Sequence, residues 1–69
     1  MFERDIEYYF FVDYERNGKW PEAEYCRENT NREFRVGEFI ELYGRKYKII
    51  EVYHRSPYNR TDLLVKVDD

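Results

Sequence analysis

The chain has one cysteine, Cys26, and one histidine, His54, among its 69 residues. No intramolecular disulfide can form, and the two together cannot build a structural zinc site. Three glycines leave no Gly-rich loop to cradle a phosphate. No apolar run approaches the roughly 20 residues that cross a bilayer. The opening Met1-Phe2-Glu3-Arg4-Asp5 lacks the basic-then-apolar layout of a signal peptide, so a reducing, cytoplasmic setting is expected and Asn59-Arg60-Thr61 is read as a coincidental glycosylation sequon. A chain of this length makes one domain, residues 1–69, close to the smallest core that folds without staples.

Aromatic side chains are abundant instead: eight Tyr, five Phe and one Trp, 20% of the residues. Each buries a large area, so few of them can hold a small core together. The net charge of −3 is unevenly laid down. Residues 1–31 carry four Lys or Arg against eight Asp or Glu, and residues 32–69 carry eight against seven. Between 45 and 60, Arg45, Lys46, Lys48, Arg55 and Arg60 face only Glu51. A solvated mixed-charge surface explains this pattern, and so does a bipolar molecule with two different partners.

Two tight-turn dipeptides punctuate the chain. Asn17-Gly18 suits a two-residue type I′ hairpin and Gly44-Arg45 a type II′ turn, because both need positive φ. The first predicts a strand over 5–16 with Ile6, Tyr8, Phe10, Val12 and Tyr14 on one face, and a return strand over 19–28. A two-residue loop there sets Phe10 opposite Tyr25 and Tyr9 opposite Cys26. Pro21 cannot donate to a ladder, which puts the return strand at an edge guarded by Glu22 and Glu24. Residues 29–33 read as a polar loop.

The second turn predicts strands over 39–43 and 46–54, with Leu42 opposite Tyr47 and Ile40 opposite Ile49 inward, and Glu41 opposite Lys48 outward. The apolar phase then slips from Tyr47 and Ile49 to Ile50 and Val52, the signature of a β-bulge or of a strand bending to serve two sheets. A polar loop over 55–61 leads to a last strand over 62–67 carrying Leu63, Val65 and Val67. Short connections and mostly sequential hairpins predict a barrel of two packed sheets.

The stretch from Val36-Gly37-Glu38 through Ile40, Leu42, Gly44, Tyr47 and Ile49 to Val52 resembles the pattern V-G-E/D-x-I-x-L-x-G-x-x-Y-x-I-x-x-V of small SH3-like barrels from bacteria and their phages. It covers 17 of 69 residues. The resemblance implies an all-β fold: a small, five-stranded, SH3-like, partly open barrel built from two hairpins and a C-terminal strand. It carries over no functional residue, because the matching positions are turn glycines and core residues, and such barrels act as adaptors, inhibitors, connectors and nucleic-acid binders alike.

No catalytic constellation emerges. His54 has no neighbouring nucleophile, and Cys26 reads as a structural thiol. Glu22, Glu24, Cys26 and Glu28 alternate along one strand face without calling for a metal. A barrel this small has no room to bury a substrate, so the expectation is no enzyme, no cofactor and no metal.

Tyr9, Phe11 and Trp20 stand apart, because they fall opposite the core face of the first hairpin. Either that strand coils and contributes to both sheets, or the three form an exposed apolar patch rimmed by Asp13, Glu15, Glu22 and Glu24. The patch reading implies a non-enzymatic protein-interaction module, an accessory, inhibitory or adaptor protein that binds a protein partner or a second copy of itself through Tyr9, Phe11, Trp20, Asp13, Glu22 and Glu24. The alternative is a small nucleic-acid-binding barrel using Arg45, Lys46, Lys48, Arg55 and Arg60, with Tyr43, Tyr53 and Tyr58 stacking on bases. The acidic composition weighs against it.

Overall fold

The computed structural model describes residues 6–55 and 59–68. Five strands form one sheet: β1 (Ile6–Val12), β2 (Cys26–Thr30), β3 (Phe39–Leu42), β4 (Arg45–Arg55) and β5 (Arg60–Val67). No helix occurs among the described residues. The spatial order is β2-β1-β5-β4-β3, with β1 parallel to β5 and every other neighbouring pair antiparallel. The sheet curls into a half-barrel, so the all-β, five-stranded expectation holds, with one curled sheet in place of two packed ones.

The apolar runs of β1 and β5 follow from their central, parallel position. A parallel pair is usually covered on both faces, and its strands then read as near-continuous apolar runs. Tyr8, Phe10 and Val12 project into the concave face with Leu63 and Val65, joined there by Phe34, Ile40, Leu42, Tyr47 and Ile49. Tyr9, Phe11 and Leu64 project to the convex face, with Ile50 against them. The strand therefore serves two apolar clusters.

The β1–β2 hairpin departs from expectation. Its register sets Phe10 opposite Cys26 and Tyr9 opposite Arg27, one residue away from a two-residue Asn17-Gly18 turn. Pairing begins only at Cys26, so Pro21, Glu22 and Glu24 belong to a long loop over 13–25, while Asn29 and Thr30 are in strand. Buried Asp13 draws the loop in: Gly18 N–H donates to its Oδ2 at 2.9 Å and Asn17 N–H to its Oδ1 at 3.3 Å. Positive φ falls on Arg16 and Gly18. Folding back sets the Trp20 ring edge-on to Phe11, 5.5 Å between centroids. A two-residue hairpin would extend the ladder but leave the convex aromatics wet, and covering one large apolar side chain contributes about 1.5–3 kcal/mol.

The β3–β4 turn is Tyr43-Gly44, with φ of 52° and 81°. Positive φ at both central positions is the type I′ arrangement, so Leu42 pairs with Arg45, Ile40 with Tyr47 and Glu41 with Lys46. The shift from the expected register is two residues, which preserves the faces: Ile40, Leu42, Tyr47 and Ile49 are all buried. The expected irregularity in β4 is a bulge at Ile50, between the pairs Ile49–Val65 and Glu51–Leu64. It returns Val52 to the concave cluster and gives Ile50 to the convex one.

Phe34 closes the half-barrel. It lies on the connection from β2 to β3, yet only 5% of its surface is exposed. Its ring is edge-on to Tyr8 at 4.7 Å and to Phe10 at 5.7 Å.

Candidate functional site: a cleft on the convex face

On the convex face, alternate residues of neighbouring strands stand side by side. Tyr9 of β1 is paired with Arg27 of β2 and with Asp62 of β5, which is paired with Tyr53 of β4. Arg55 and Arg60 are also partners across β4 and β5. This register produces a band of alternating charge and aromatic rings across four strands. Arg27 lies 4.6 Å and Arg60 3.7 Å from the Tyr9 ring centroid. Tyr9 donates its hydroxyl hydrogen to Glu7 Oε1 at 2.9 Å, a bond that raises its pKa. Arg27 meets Glu24 Oε1 at 2.7 Å and lowers the Glu24 carboxyl pKa.

Asp62 is the pivot of this band. Its side chain is 3% exposed, and its two oxygens accept separate bonds: Oδ2 from Arg55 Nε and Oδ1 from Arg60 Nε, each 2.8 Å. The carboxylate raises the pKa of Arg60. Satisfying a buried carboxylate on both oxygens removes most of the penalty of burying it and anchors each guanidinium at its Nε–H.

Above this pair opens a cleft of about 390 Å³. Phe11, Trp20 and Pro21 form one wall, Tyr53 the other, Arg55, Arg60 and Asp62 the floor, and Glu22 the lip. Arg55 also stacks 5.3 Å from the Tyr53 centroid.

The structure divides both sets of sequence-derived candidates and brings part of each together. From the aromatic set, Phe11, Trp20 and Glu22 line the cleft. Tyr9 and Phe11 are buried and form no open patch; Trp20 stays 38% exposed above Phe11. Asp13, expected at a rim, is buried and caps the loop, and Glu24 is occupied with Arg27. From the basic set, Arg55 and Arg60 reach the cleft floor. Arg45, Lys46 and Lys48 belong to the opposite end of β4, so that Arg45 and Arg55 are about 33 Å of strand apart. Lys46 pairs with Asp68 at 3.6 Å and lies 4.4 Å from the Phe39 centroid; Lys48 is 6.0 Å from the same ring. Tyr58 lies outside the described residues. Asp62 and Pro21 were not singled out by the sequence as site residues. The signal for Asp62 was a lone carboxylate beside the apolar run Leu63-Leu64-Val65.

His54 Nδ1 lies 2.9 Å from Thr61 Oγ1, and burial and the nearby Glu28 raise the Cys26 thiol pKa. A raised pKa leaves less of the reactive thiolate at neutral pH, and Thr61 is buried. Among the described residues no group of three His, Cys, Asp or Glu could hold a metal ion, and no helix is long and apolar enough to cross a membrane. Comparison of the chain with family models, curated proteins and solved structures finds no match.

Proposed function

We propose that this chain is a non-enzymatic protein-interaction module, a cytoplasmic adaptor or inhibitor of the bacterial or phage kind, that engages a protein partner through the convex-face cleft. One observation carries the reading: Trp20, Tyr53, Arg55 and Arg60 converge on a single cleft with an anchored floor. Trp, Tyr and Arg are the residue types enriched where interfaces concentrate binding energy, in pockets already shaped before the partner arrives. The nucleic-acid reading has less support, because Arg45, Lys46 and Lys48 lie at the opposite end of β4 from Arg55 and its partner Arg60.

Capture from cells that express the protein, comparing wild type with Trp20→Ala, tests the proposal. Trp20→Ala is expected to lose about 2 kcal/mol of partner affinity, roughly thirtyfold, compared at a temperature where melting curves show both forms folded. Equal capture by both forms would remove the cleft from the account. A second copy of the chain is the rival occupant, and sedimentation identifies it as a dimer that Trp20→Ala dissociates.

A further inference from the structure

Building on that reading, we propose that the cleft recognises an acidic side chain flanked by an apolar one. The carboxylate of a partner's Asp or Glu seats on Arg55 and Arg60 while its neighbour packs against Trp20 and Pro21. The charge count at the floor supports this occupant. Two guanidinium groups meet one carboxylate, and each Asp62 oxygen takes one Nε–H, leaving one positive charge in surplus at the floor, which Glu22 at the lip offsets over the cleft as a whole. Asp62 is 3% exposed, whereas Arg55 and Arg60 are 47% and 30% exposed. The balancing carboxylate therefore lies beneath, and the guanidinium groups are the accessible part of the trio.

Their geometry is set before any ligand arrives. Asp62 holds the Nε–H of each guanidinium, and the Tyr9 ring centroid lies 3.7 Å from the guanidinium carbon of Arg60. A planar fork held in this way matches a carboxylate without further ordering of the side chains. Guanidinium clusters of this kind recognise acidic motifs. The apolar wall demands the second half of the motif, because a charged neighbour would leave Trp20 and Pro21 unmatched.

A nucleic acid fits less well. It brings one charge per nucleotide, and the surplus here is one, on a protein of net charge −3. Arg45 and Lys46 are about 30 Å of strand or more away, and Arg27, which shares the Tyr9 ring with Arg60, is already paired with Glu24. Glu22 at the lip opposes any anion, so its removal should strengthen binding.

Trp20 is the only tryptophan, so its emission reports occupancy of the cleft directly. The probes are Ac-Gly-Leu-Glu-Leu-Gly-NH2, the same peptide with Gln replacing Glu, and a short oligothymidylate. The Glu peptide is expected to shift Trp20 emission saturably and to bind about tenfold or more tighter than the Gln peptide, the ratio set by charge-assisted hydrogen bonds. Arg55→Gln should abolish that preference, Arg55→Lys should restore part of it, and Glu22→Gln should increase affinity for the Glu peptide. Arg55→Gln leaves the buried Asp62 Oδ2 without its partner and should lower the melting midpoint, so the peptides are compared at a temperature where melting curves show every variant folded. Equal binding of the two peptides, absence of saturable binding, or tighter binding of the oligothymidylate each overturns the inference. If Trp20→Ala loses the captured partner while Arg55→Gln retains it, the interaction reading survives and the acidic motif does not.

Discussion

Truncating Phe34 to Ala tests how a chain of this size closes its core. The residue lies outside every strand, yet it is 5% exposed and edge-on to both Tyr8 and Phe10. Removing a buried phenylalanine to Ala costs about 3–5 kcal/mol, counting lost transfer energy and the cavity left behind. Two edge-to-face ring contacts add to the specificity of the site, each contributing about 0.5–1.5 kcal/mol beyond area. Total stability at about 0.05–0.15 kcal/mol per residue comes to roughly 3–10 kcal/mol for this chain. Phe34→Ala should therefore remove a third or more of it, and Phe34→Leu, which keeps apolar volume but loses the ring contacts, about 1–2 kcal/mol. Urea titration gives the free energies. The melting midpoint should fall by about 4–8 °C for each kcal/mol lost. A loss below about 1 kcal/mol for Phe34→Ala would show that the β2–β3 connection lies over the core without completing it, and the argument for closure would fail.

Three further outcomes follow from local chemistry. Gly44→Val should cost about 1 kcal/mol or more, because a β-branched residue tolerates positive φ poorly, whereas Tyr43→Asn should be neutral or stabilising; an unchanged melting midpoint for Gly44→Val contradicts the type I′ assignment. Burial is the largest cause raising the phenol pKa of Tyr8 and of Tyr47. The neutral phenols are favoured in the folded state, so this stability is fully present below the ordinary tyrosine value of 10.0 and is lost as pH rises through the folded values. Unfolding should therefore set in above that pH together with tyrosinate absorbance, and a melting midpoint that is flat through this range speaks against buried phenols. The Cys26 thiol, its pKa raised by burial and Glu28, should react with a disulfide reagent more slowly than a cysteine-containing peptide at neutral pH, and an equal rate contradicts its placement.

Much of the fold was legible because period-two alternation is local. Tyr8, Phe10 and Val12 were read on the core face, as were Ile40, Leu42, Tyr47 and Ile49, and the apolar slip after Ile49 marked the bulge. The β3–β4 register was misread by two residues because Tyr43 reads as a strand residue, while the tight turn recruits it into positive φ. A two-residue error leaves every side chain on its own face.

The first hairpin was misread for a different reason. Asn17-Gly18 signals a turn, but the buried Asp13 carboxylate and the uncovered convex aromatics favour a loop that folds back on the sheet. The parallel pairing of β1 with β5 has no local signal beyond apolar continuity, Tyr8 to Val12 in one strand and Leu63 to Val65 in the other. That pairing brings Asp62 beside Tyr9, and the long loop brings Trp20 over Phe11. The cleft is the product of these two long-range events, and so its members appeared in the sequence as two unrelated groups.

The central claim is that the convex-face cleft is where a protein partner binds. Amide and side-chain chemical-shift mapping, with unlabelled captured partner added to the isotopically labelled chain, tests it most directly. Perturbations should concentrate on the Trp20 indole N–H, Tyr53 and the Nε–H groups of Arg55 and Arg60, with the Arg45, Lys46 and Lys48 end of the sheet unmoved. Shifts confined to Arg45, Lys46 and Lys48, with the cleft unperturbed at saturation, would contradict the account.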